Sequence, residues 1–119
     1  MCNMKGVGID LCSVSRMAEL LCEGRSLRRM FTETEEAYIR AKGASAAQSA
    51  AGIFAAKEAA LKAFGTGLTI ALTDVQVSHT ELGQPQVTLT GKAAAQGGRM
   101  EISITHEGDM AAAVAIWIG

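Results

Sequence analysis

The segment FAAKEAALKAFGTG, residues 54–67, indicates a long helix that ends in a glycine turn. A helix advances about 100° per residue, so Glu58 borders the apolar face that Phe54 and Leu61 define. Alanine is the best helix former, and the alanine-rich residues 46–64 are predicted to form the longest helix of the chain. A carboxylate beside an apolar face is costly unless a cation accompanies it, so Glu58 requires its own explanation.

The segments before this helix predict one strand followed by two shorter helices. Residues 4–11 alternate as a strand that places Asp10 on the opposite face from Val7, Ile9 and Leu11. Helices are predicted over about residues 14–23, which end at Gly24, and from Thr32 to about residue 42. Capping residues are predicted at Ser13, at Thr32 with Glu35, and at Ser45 with Gln48.

After residue 67 the pattern changes to short, β-branched segments. Strands are predicted within residues 74–79, 86–90, 101–105 and 111–118, with turns at 81–85 and 106–109 and one helical turn within 91–98. The last strand is almost entirely apolar, as a central buried strand would be. The order of strand, helices and then antiparallel strands predicts an α+β fold.

Composition restricts the class of protein. A chain of 119 residues with 49% hydrophobic residues predicts one packed domain, whose small core favours oligomer formation. The formal net charge of −1 argues against a general nucleic-acid binder. The sequence contains no segment with the pattern of a signal peptide and no apolar stretch long enough to predict a membrane span. Cys2, Cys12 and Cys22 form no CxxC pair, which predicts reduced thiols in a cytoplasmic protein, with Cys12 and Cys22 buried.

Basic residues concentrate near the first predicted helix. Arg16, Arg25, Arg28 and Arg29 lie close together in sequence, with only Glu19 and Glu23 among them. On a nearly neutral protein, such a patch suits an acidic protein partner or an anionic ligand. A solvated helix face is the competing interpretation.

Three explanations compete for Glu58: a surface ion pair with Lys62 at i,i+4, a buried ion pair, or a metal site. Asp10 supplies a second carboxylate at a strand end, and Mg²⁺ is commonly held by one or two carboxylates with substrate phosphates and waters. The glycine turn 65–67 can bring backbone N–H groups close to an anion, and Lys62 can reach the same phosphate. Together these residues predict a site for phosphate and magnesium.

The chain resembles the holo-acyl-carrier-protein synthase family, the small 4′-phosphopantetheinyl transferases. The resemblance covers nearly the whole chain, and its most specific part is F-x-x-K-E-x-x-x-K-x-x-G-x-G after an N-terminal G-I-D. The segments that carry it are GVGIDL at 6–11, Arg16, RRMFTETE at 28–35, AGIFAAKEAALKAFGTGL at 51–68, GQP at 83–85 and SITHEGDMAAAVAI at 103–116.

The resemblance implies an activity and a set of site residues. The family moves the phosphopantetheine arm of coenzyme A to a serine hydroxyl of apo acyl carrier protein, with release of 3′,5′-ADP, and works as a homotrimer with active sites between protomers. By the family's motif, Asp10 and Glu58 would ligate Mg²⁺, and Lys62 would contact the phosphates of coenzyme A. The nucleotide pocket would include Gly65, Thr66, Gly67 and His106. The carrier protein would dock at Arg16 and Arg29. Either Glu58 or a metal-bound water can serve as the base.

Two positions depart from the family pattern, and both lose a positive charge. Ile53 stands where the family usually has an arginine that can reach the nucleotide's 3′-phosphate, and Gln84 replaces a lysine. Lys57 is either a nearby compensating charge or a solvated helix lysine. A non-catalytic paralogue that binds a carrier or nucleotide is therefore the alternative function, and an unrelated phosphate binder is a third. The resemblance assigns no role to His79, which is interpreted as a surface residue at a strand end.

Overall fold

The computed structural model describes residues 3–24, 27–65 and 69–119. Thr66 and Gly67 of the predicted nucleotide pocket lie outside these ranges, as do Arg25 of the basic patch and Cys2. The helices, in chain order, are α1 (Val14–Glu23), α2 (Leu27–Met30), α3 (Glu33–Arg40), α4 (Ala46–Ala63) and α5 (Gly91–Ala95). The strands are β1 (Met4–Ser13), β2 (Val75–His79), β3 (Pro85–Leu89), β4 (Arg99–Glu107) and β5 (Met110–Ile118). Short 3₁₀ turns cover Gly43–Ser45 and Leu72–Asp74.

Antiparallel pairing builds two sheets, which confirms the predicted α+β class. One sheet has the strand order β1-β5-β4, and the other is the hairpin β2-β3. The apolar strand β5 is central, as predicted, and its register places Gly8 opposite Ala115 and Asp10 opposite Ala113. A tight turn with Gly108 at φ 56° joins β4 to β5.

The helix α4 lies directly on the glycine face of β1. A Cβ atom added at Gly6 would come within 2.0 Å of the carbonyl oxygen of Ala63, and one at Gly8 within 1.9 Å of that of Ala59. Side chains larger than hydrogen would therefore push the helix off the strand. The glycines bring the two backbones into contact, and Asp10 follows on the same face of the strand.

The other face of the same sheet is open. Val7, Ile9 and Leu11 are 60%, 68% and 64% exposed, although the strand is confirmed and Asp10 lies on the opposite face as predicted. Ile9 pairs with Val114 of the central strand, and Val7 with Ile116, so the apolar residues of β1 and β5 form one continuous surface. We call this surface, with Ala112, the open face.

Two of the predicted caps are confirmed and one is wrong. The Ser13 side chain accepts a hydrogen bond from the Arg16 amide at 3.2 Å, and Thr32 and Glu35 form both bonds of a capping box. Ser45 makes no capping bond, because it ends a 3₁₀ turn with φ −96° and ψ 9° instead of the extended backbone of an N-cap.

Two further details differ from expectation. The helix α3 ends at Arg40 instead of continuing to residue 42. Cys22 is exposed and Cys12 is partly buried, so the prediction that both are buried is wrong.

In the described part of the chain, no helix combines the length and apolar character needed to cross a membrane.

One ion pair lies inside the core. Lys57 of α4 is fully buried and bonds through Nζ to Oε1 of Glu35, which also accepts from the Thr32 amide at 2.8 Å. The other carboxylate oxygen of Glu35 accepts from the Val77 amide at 2.7 Å. Burial lowers the pKa of Lys57, and its bond to Glu35 partly opposes that shift. Lys57 is therefore neither solvated nor a compensating nucleotide contact, and both predictions for it are wrong.

Candidate active site

Asp10 and Lys62 meet at the free edge of β1. Lys62 Nζ donates to Oδ1 of Asp10 at 2.9 Å and to the carbonyl oxygen of Ile9 at 3.1 Å. Asp10 follows Gly6 and Gly8 on the face that touches α4, so the close strand–helix contact places this carboxylate beside the last turns of the helix. A cleft of ≈ 340 Å³, lined by Ile9, Asp10, Leu11 and Lys62, opens here.

Glu58 lies one turn before Lys62 and is half-buried. Burial raises the pKa of its carboxyl, the negative charge of Asp10 raises it further, and the Lys62 ammonium acts in the opposite direction. The ion pair of this site joins Lys62 to Asp10; in the residues described, none joins Lys62 to Glu58. The explanation of Glu58 as a surface i,i+4 pair is therefore wrong, and two like charges are held close together without full neutralisation.

This donor set fits a magnesium ion. Glu58 and Asp10 are both carboxylates, and the pKa of Glu58 is raised first by burial and then by the negative charge of Asp10. The ranges that the structure describes hold no cluster of three His, Cys, Asp or Glu side chains. A site for zinc or calcium would need more protein ligands, whereas Mg²⁺ is typically held by one or two carboxylates, with waters and substrate phosphates completing its shell.

Lys62 supplies a fixed positive charge at the same place. Its hydrogen bond to Asp10 and the charge of Asp10 raise the pKa of the ammonium, so it stays protonated at neutral pH. A protonated lysine next to two carboxylates can contact a diphosphate while the carboxylates bind a cation. The cluster of Asp10, Glu58 and Lys62 is therefore suited to phosphoryl chemistry.

The glycine turn after α4 is described only at its first residue. Gly65 has φ 95°, which a side chain would strain, and its amide donates to the Lys62 carbonyl at 3.0 Å. That amide is consequently occupied within the turn. Thr66 and Gly67, the other predicted members of the turn, lie outside the described residues.

His106 lines a second cavity, of ≈ 230 Å³, on the side of α4 that faces β2, β3 and β4. Its Nε2 lies 3.0 Å from the carbonyl oxygen of Gln48, and Gly52 leaves the space that the ring occupies. The wall of this cavity includes Tyr38, Ile53, His79, Pro85, Ile104 and His106. Ile53 is 2% exposed, so the position that departs from the family pattern is an apolar part of this wall.

His79 is a cavity residue that sequence reasoning missed. The sequence predicts a surface residue at this strand end, but the ring of His79 stacks on Tyr38 with centroids 4.1 Å apart and 3° between the planes. Tyr38 belongs to α3 and His79 ends β2, so only the tertiary fold brings them together. A histidine at the end of an alternating strand carries no sequence signal for such a contact.

The predicted docking arginines lie on α1, which follows the C-terminal end of β1 directly, and on α2. Arg16 and Arg29 are exposed, and within the described ranges neither forms an ion pair, whereas Arg28 pairs with Glu36 at 3.3 Å. Asp109 fixes the start of α1 by accepting from the Ser15 amide at 2.9 Å. Among the described members of the basic patch, Arg16 and Arg29 are therefore uncompensated charges, whereas Arg28 is paired.

Comparisons with known proteins identify the family that the chain resembles. The family model described as the 4′-phosphopantetheinyl transferase superfamily matches residues 6–115. A holo-[acyl-carrier-protein] synthase of Treponema denticola is 42% identical over 117 residues, 93% of this chain and 95% of the relative. One of Desulforudis audaxviator is 43% identical over 122 residues, 96% and 92% of the two chains. The crystal structure of a holo-(acyl-carrier-protein) synthase from Bacillus anthracis in complex with CoA (3′,5′-ADP) superposes with a TM-score of 0.80 at 29% identity, covering 97% of this chain and 96% of the other.

Proposed function

The chain belongs to the 4′-phosphopantetheinyl transferase superfamily, and we propose that it transfers the 4′-phosphopantetheine group of coenzyme A to a serine hydroxyl of an apo acyl carrier protein. It is a transferase of this family and not the non-catalytic paralogue considered from the sequence. The observation that carries the proposal is the cluster of Asp10, Glu58 and Lys62, in which two carboxylates and one ammonium converge.

The reaction is a substitution at phosphorus, in which a serine oxygen replaces the bridging oxygen of the diphosphate. The serine oxygen of the carrier bonds to the phosphorus that bears pantetheine, the bond to the bridging oxygen breaks, and 3′,5′-ADP leaves. Negative charge grows on the phosphoryl and leaving oxygens during this step, and groups aimed at that charge provide most of the catalysis. The carrier supplies the nucleophile, so this chain needs no Ser or Cys of its own for that role.

Each residue of the cluster has a part in this step. Lys62 Nζ, held at the edge of β1 by Asp10, contacts the diphosphate and stabilises the leaving group. Glu58 is a half-buried carboxylate one turn before Lys62, and it is the candidate in this chain to accept the serine proton. Asp10 keeps Lys62 in position and, together with Glu58, would hold Mg²⁺. Bound there, Mg²⁺ would neutralise charge on the diphosphate.

The carrier protein is proposed to dock at Arg16 and Arg29. Both side chains are exposed and uncompensated in the described part of the chain, and a groove of ≈ 320 Å³ lined by Leu11, Arg16 and Phe54 lies between α1 and the end of β1. Carrier proteins are acidic, so these arginines would mainly speed the encounter and select the partner. The carrier's serine would then approach the cleft at Asp10.

We also propose a homotrimer in which the open face is covered by a neighbouring copy. An apolar surface of this extent is unusual for a monomer. Its residues Ile9 and Leu11 also line the cleft that contains Asp10 and Lys62. A copy seated on the open face would therefore border the active site. Residues 1–119 would act as one transferase domain, in the cytoplasm, where carriers of fatty-acid or polyketide synthesis are the candidate substrates.

The test is an intact-mass measurement on the carrier. Incubation of the protein with apo acyl carrier protein, coenzyme A and Mg²⁺ should increase the carrier mass by one phosphopantetheine group. A carrier with its acceptor serine replaced by alanine is the matched control and should stay unchanged. A chelator should stop the reaction, and restored Mg²⁺ should restart it. An unmodified carrier in every case, over several carriers, would refute the proposal.

A further inference from the structure

One exposed carboxylate, that of Asp109, bonds the turn between β4 and β5 to the start of α1. Its Oδ1 accepts from the Ser15 amide at 2.9 Å, and its Oδ2 accepts from the hydroxyls of Ser13 at 3.0 Å and Ser15 at 2.8 Å. The carbonyl oxygen of Asp109 accepts from the Val14 amide at 2.8 Å. One residue of a distant turn therefore accepts four hydrogen bonds from three consecutive residues. We call Asp109, Ser13 and Ser15 the Asp109 clamp.

The clamp continues to the backbone of Arg16. The Ser13 hydroxyl donates its proton to Asp109 and accepts from the Arg16 amide at 3.2 Å. A hydroxyl has one donor and two acceptor lone pairs, so the bond to Asp109 leaves the lone pairs of Ser13 for the helix. Hydrogen bonds thus run from Asp109 through Ser13 to the residue that is proposed to bind the carrier.

The helix α1 depends on Asp109 for an anion at its start. The first turn of α1, which the structure describes completely, contains no acidic residue, whereas that of α3 contains three. A negative charge at a helix N-terminus satisfies free N–H groups and complements the helix dipole. Hydrogen bonds from Ser15 and Ser13 lower the pKa of Asp109, so its carboxyl is charged at neutral pH. The tertiary fold supplies what the sequence of α1 lacks.

The clamp also fixes the helix relative to the proposed active site. Ser13 is the last residue of β1, and Val14 begins α1 without an intervening loop. Asp10 precedes Ser13 by three residues of the same strand, a distance of about 10 Å. The direction in which α1 leaves the strand is set at this junction, and the clamp bonds the junction to the neighbouring turn. The position of Arg16 relative to Asp10 is set there too.

The charge of Asp109 has the wrong sign to attract an acidic partner. Asp109 is exposed at the junction from which the helix of Arg16 starts. A carboxylate at this place reduces the positive potential that would steer an acidic carrier to the arginine. Any contribution of Asp109 to docking therefore has to come from its hydrogen bonds and not from its charge.

We propose that Asp109 is a positioning residue for carrier docking, because its clamp on the start of α1 holds Arg16 at a fixed place relative to Asp10. This inference rests on the proposed function, since it takes Arg16 to be a contact of the acyl carrier protein. Asp109 itself contacts neither the carrier nor coenzyme A in this account. It acts through α1 and is not a catalytic residue.

The sign of one kinetic change tests the inference. If Asp109 acted only through its charge, Asp109→Ala would make the docking surface more positive and lower the KM for the carrier. The positioning role predicts the opposite change. Without the clamp, α1 leaves the docking-competent direction for part of the time, and the apparent affinity falls by that fraction. The KM for the carrier should rise roughly fivefold, the effect of one lost helix cap, with unchanged kcat and unchanged KM for coenzyme A.

Two further variants separate hydrogen bonding from charge. Asp109→Asn removes the charge but keeps an oxygen for the Ser15 amide and an amide group for the hydroxyls, so its carrier KM should stay close to that of the wild type. Glu107→Ala removes another exposed acid from the end of the same hairpin and is the matched control, which should not raise this KM. A rise of the same size in Glu107→Ala would contradict the inference.

A double-variant cycle tests whether the effect passes through Arg16. In the Arg16→Met background the clamp has lost the side chain that it positions, so Asp109→Ala should change the carrier KM by less than about twofold. A merely structural effect of Asp109 would be the same in both backgrounds. The same fivefold rise in the presence and absence of Arg16 would therefore overturn the assignment.

Measurements without transfer separate this inference from the function on which it rests. Amide hydrogen exchange on the protein alone should be faster at Ser15 and Arg16 in Asp109→Ala and unchanged in α3. Calorimetry with a carrier whose acceptor serine is replaced by alanine measures docking alone. If Asp109→Ala weakens this binding but no carrier is ever modified, the proposed transfer fails and the inference stands. Unchanged exchange at both amides, or a carrier KM that stays equal or falls, would overturn it.

Discussion

Nζ of Lys62 donates to Oδ1 of Asp10 at 2.9 Å, so the lysine of α4 is bound to the edge of β1 and not to Glu58 one turn earlier in its own helix. The consequence is electrostatic. Asp10 keeps the lysine charged, while Glu58 is left half-buried beside a second carboxylate and its pKa rises. Lys62 and Asp10 thereby line a small cleft as an ion pair, and Glu58 lies one helical turn earlier as a second acid.

Replacing this lysine tests its role in charge stabilisation. Lys62→Met should lower kcat/KM for carrier modification by roughly 10²–10³-fold, the loss found when one preorganised donor to a transition-state oxyanion is removed. The thermal midpoint should change little, because the side chain is 55% exposed. Steady-state kinetics and a melting curve on the same sample measure both. Turnover close to wild type would exclude Lys62 from the site.

The raised pKa of Glu58 makes a prediction about stability and pH. An acid whose pKa is higher in the folded state than in the unfolded state stabilises the fold at pH values below its unfolded-state pKa, which is about 4.3 for Glu. That contribution is lost as the pH rises through the folded pKa. In the absence of Mg²⁺, Glu58→Gln should therefore be at least as stable as wild type at pH 7, although it loses activity.

Urea unfolding of both proteins between pH 4 and 8, with and without Mg²⁺, measures this effect. Mg²⁺ should stabilise the wild type, because a ligand that binds only the folded state shifts the equilibrium, and should not stabilise Glu58→Gln. If Glu58→Gln were less stable than the wild type at pH 7 without metal, the conclusion that the folded protein disfavours the charged form of Glu58 would be contradicted.

The open face gives a prediction about assembly. Ile9→Asp places a charge in the middle of an apolar surface and should convert the proposed trimer to monomers, with loss of activity, because the neighbouring copy would have to bury that charge. Leu82→Asp is the matched control, since Leu82 is 98% exposed at the β2–β3 turn and lies away from the open face. Sedimentation velocity measures the oligomer. Equal sedimentation of the Ile9→Asp variant and the wild type would refute the proposed interface.

The buried pair of Lys57 and Glu35 predicts an asymmetric response. Lys57→Met leaves the Glu35 carboxylate buried without its cation, and should lower the free energy of unfolding by about 3–5 kcal/mol. Adding Glu35→Gln to it removes the orphaned charge and should recover part of that loss. Chemical denaturation of the single and double variants measures the coupling. A double variant less stable than Lys57→Met would contradict this account.

The outline of the fold could be predicted because its signals are local or periodic, whereas the cluster of Asp10, Glu58 and Lys62 was expected from the residue types and the family resemblance. Alternation located the strands, the capping box at Thr32 located α3, and helical geometry put Glu58 beside the apolar face. The role of Lys57 could not be predicted, because its partner Glu35 belongs to another helix. Likewise, alternation in β1 identifies two faces but does not say which one receives a helix. That depends on the backbone contact at Gly6 and Gly8.

The same contact means that two glycines, Gly6 and Gly8, set the distance between Asp10 and Glu58 in the proposed site. Asp10 is carried by the strand and Glu58 by the helix, and the separation of these two backbones is set where Gly8 meets the carbonyl of Ala59. A misplacement of about 1 Å in a reacting group can cost a hundredfold in rate. One methyl group at Gly8 would force a shift of at least that size. The proposed active site would therefore tolerate substitution least at a residue that takes no part in the reaction.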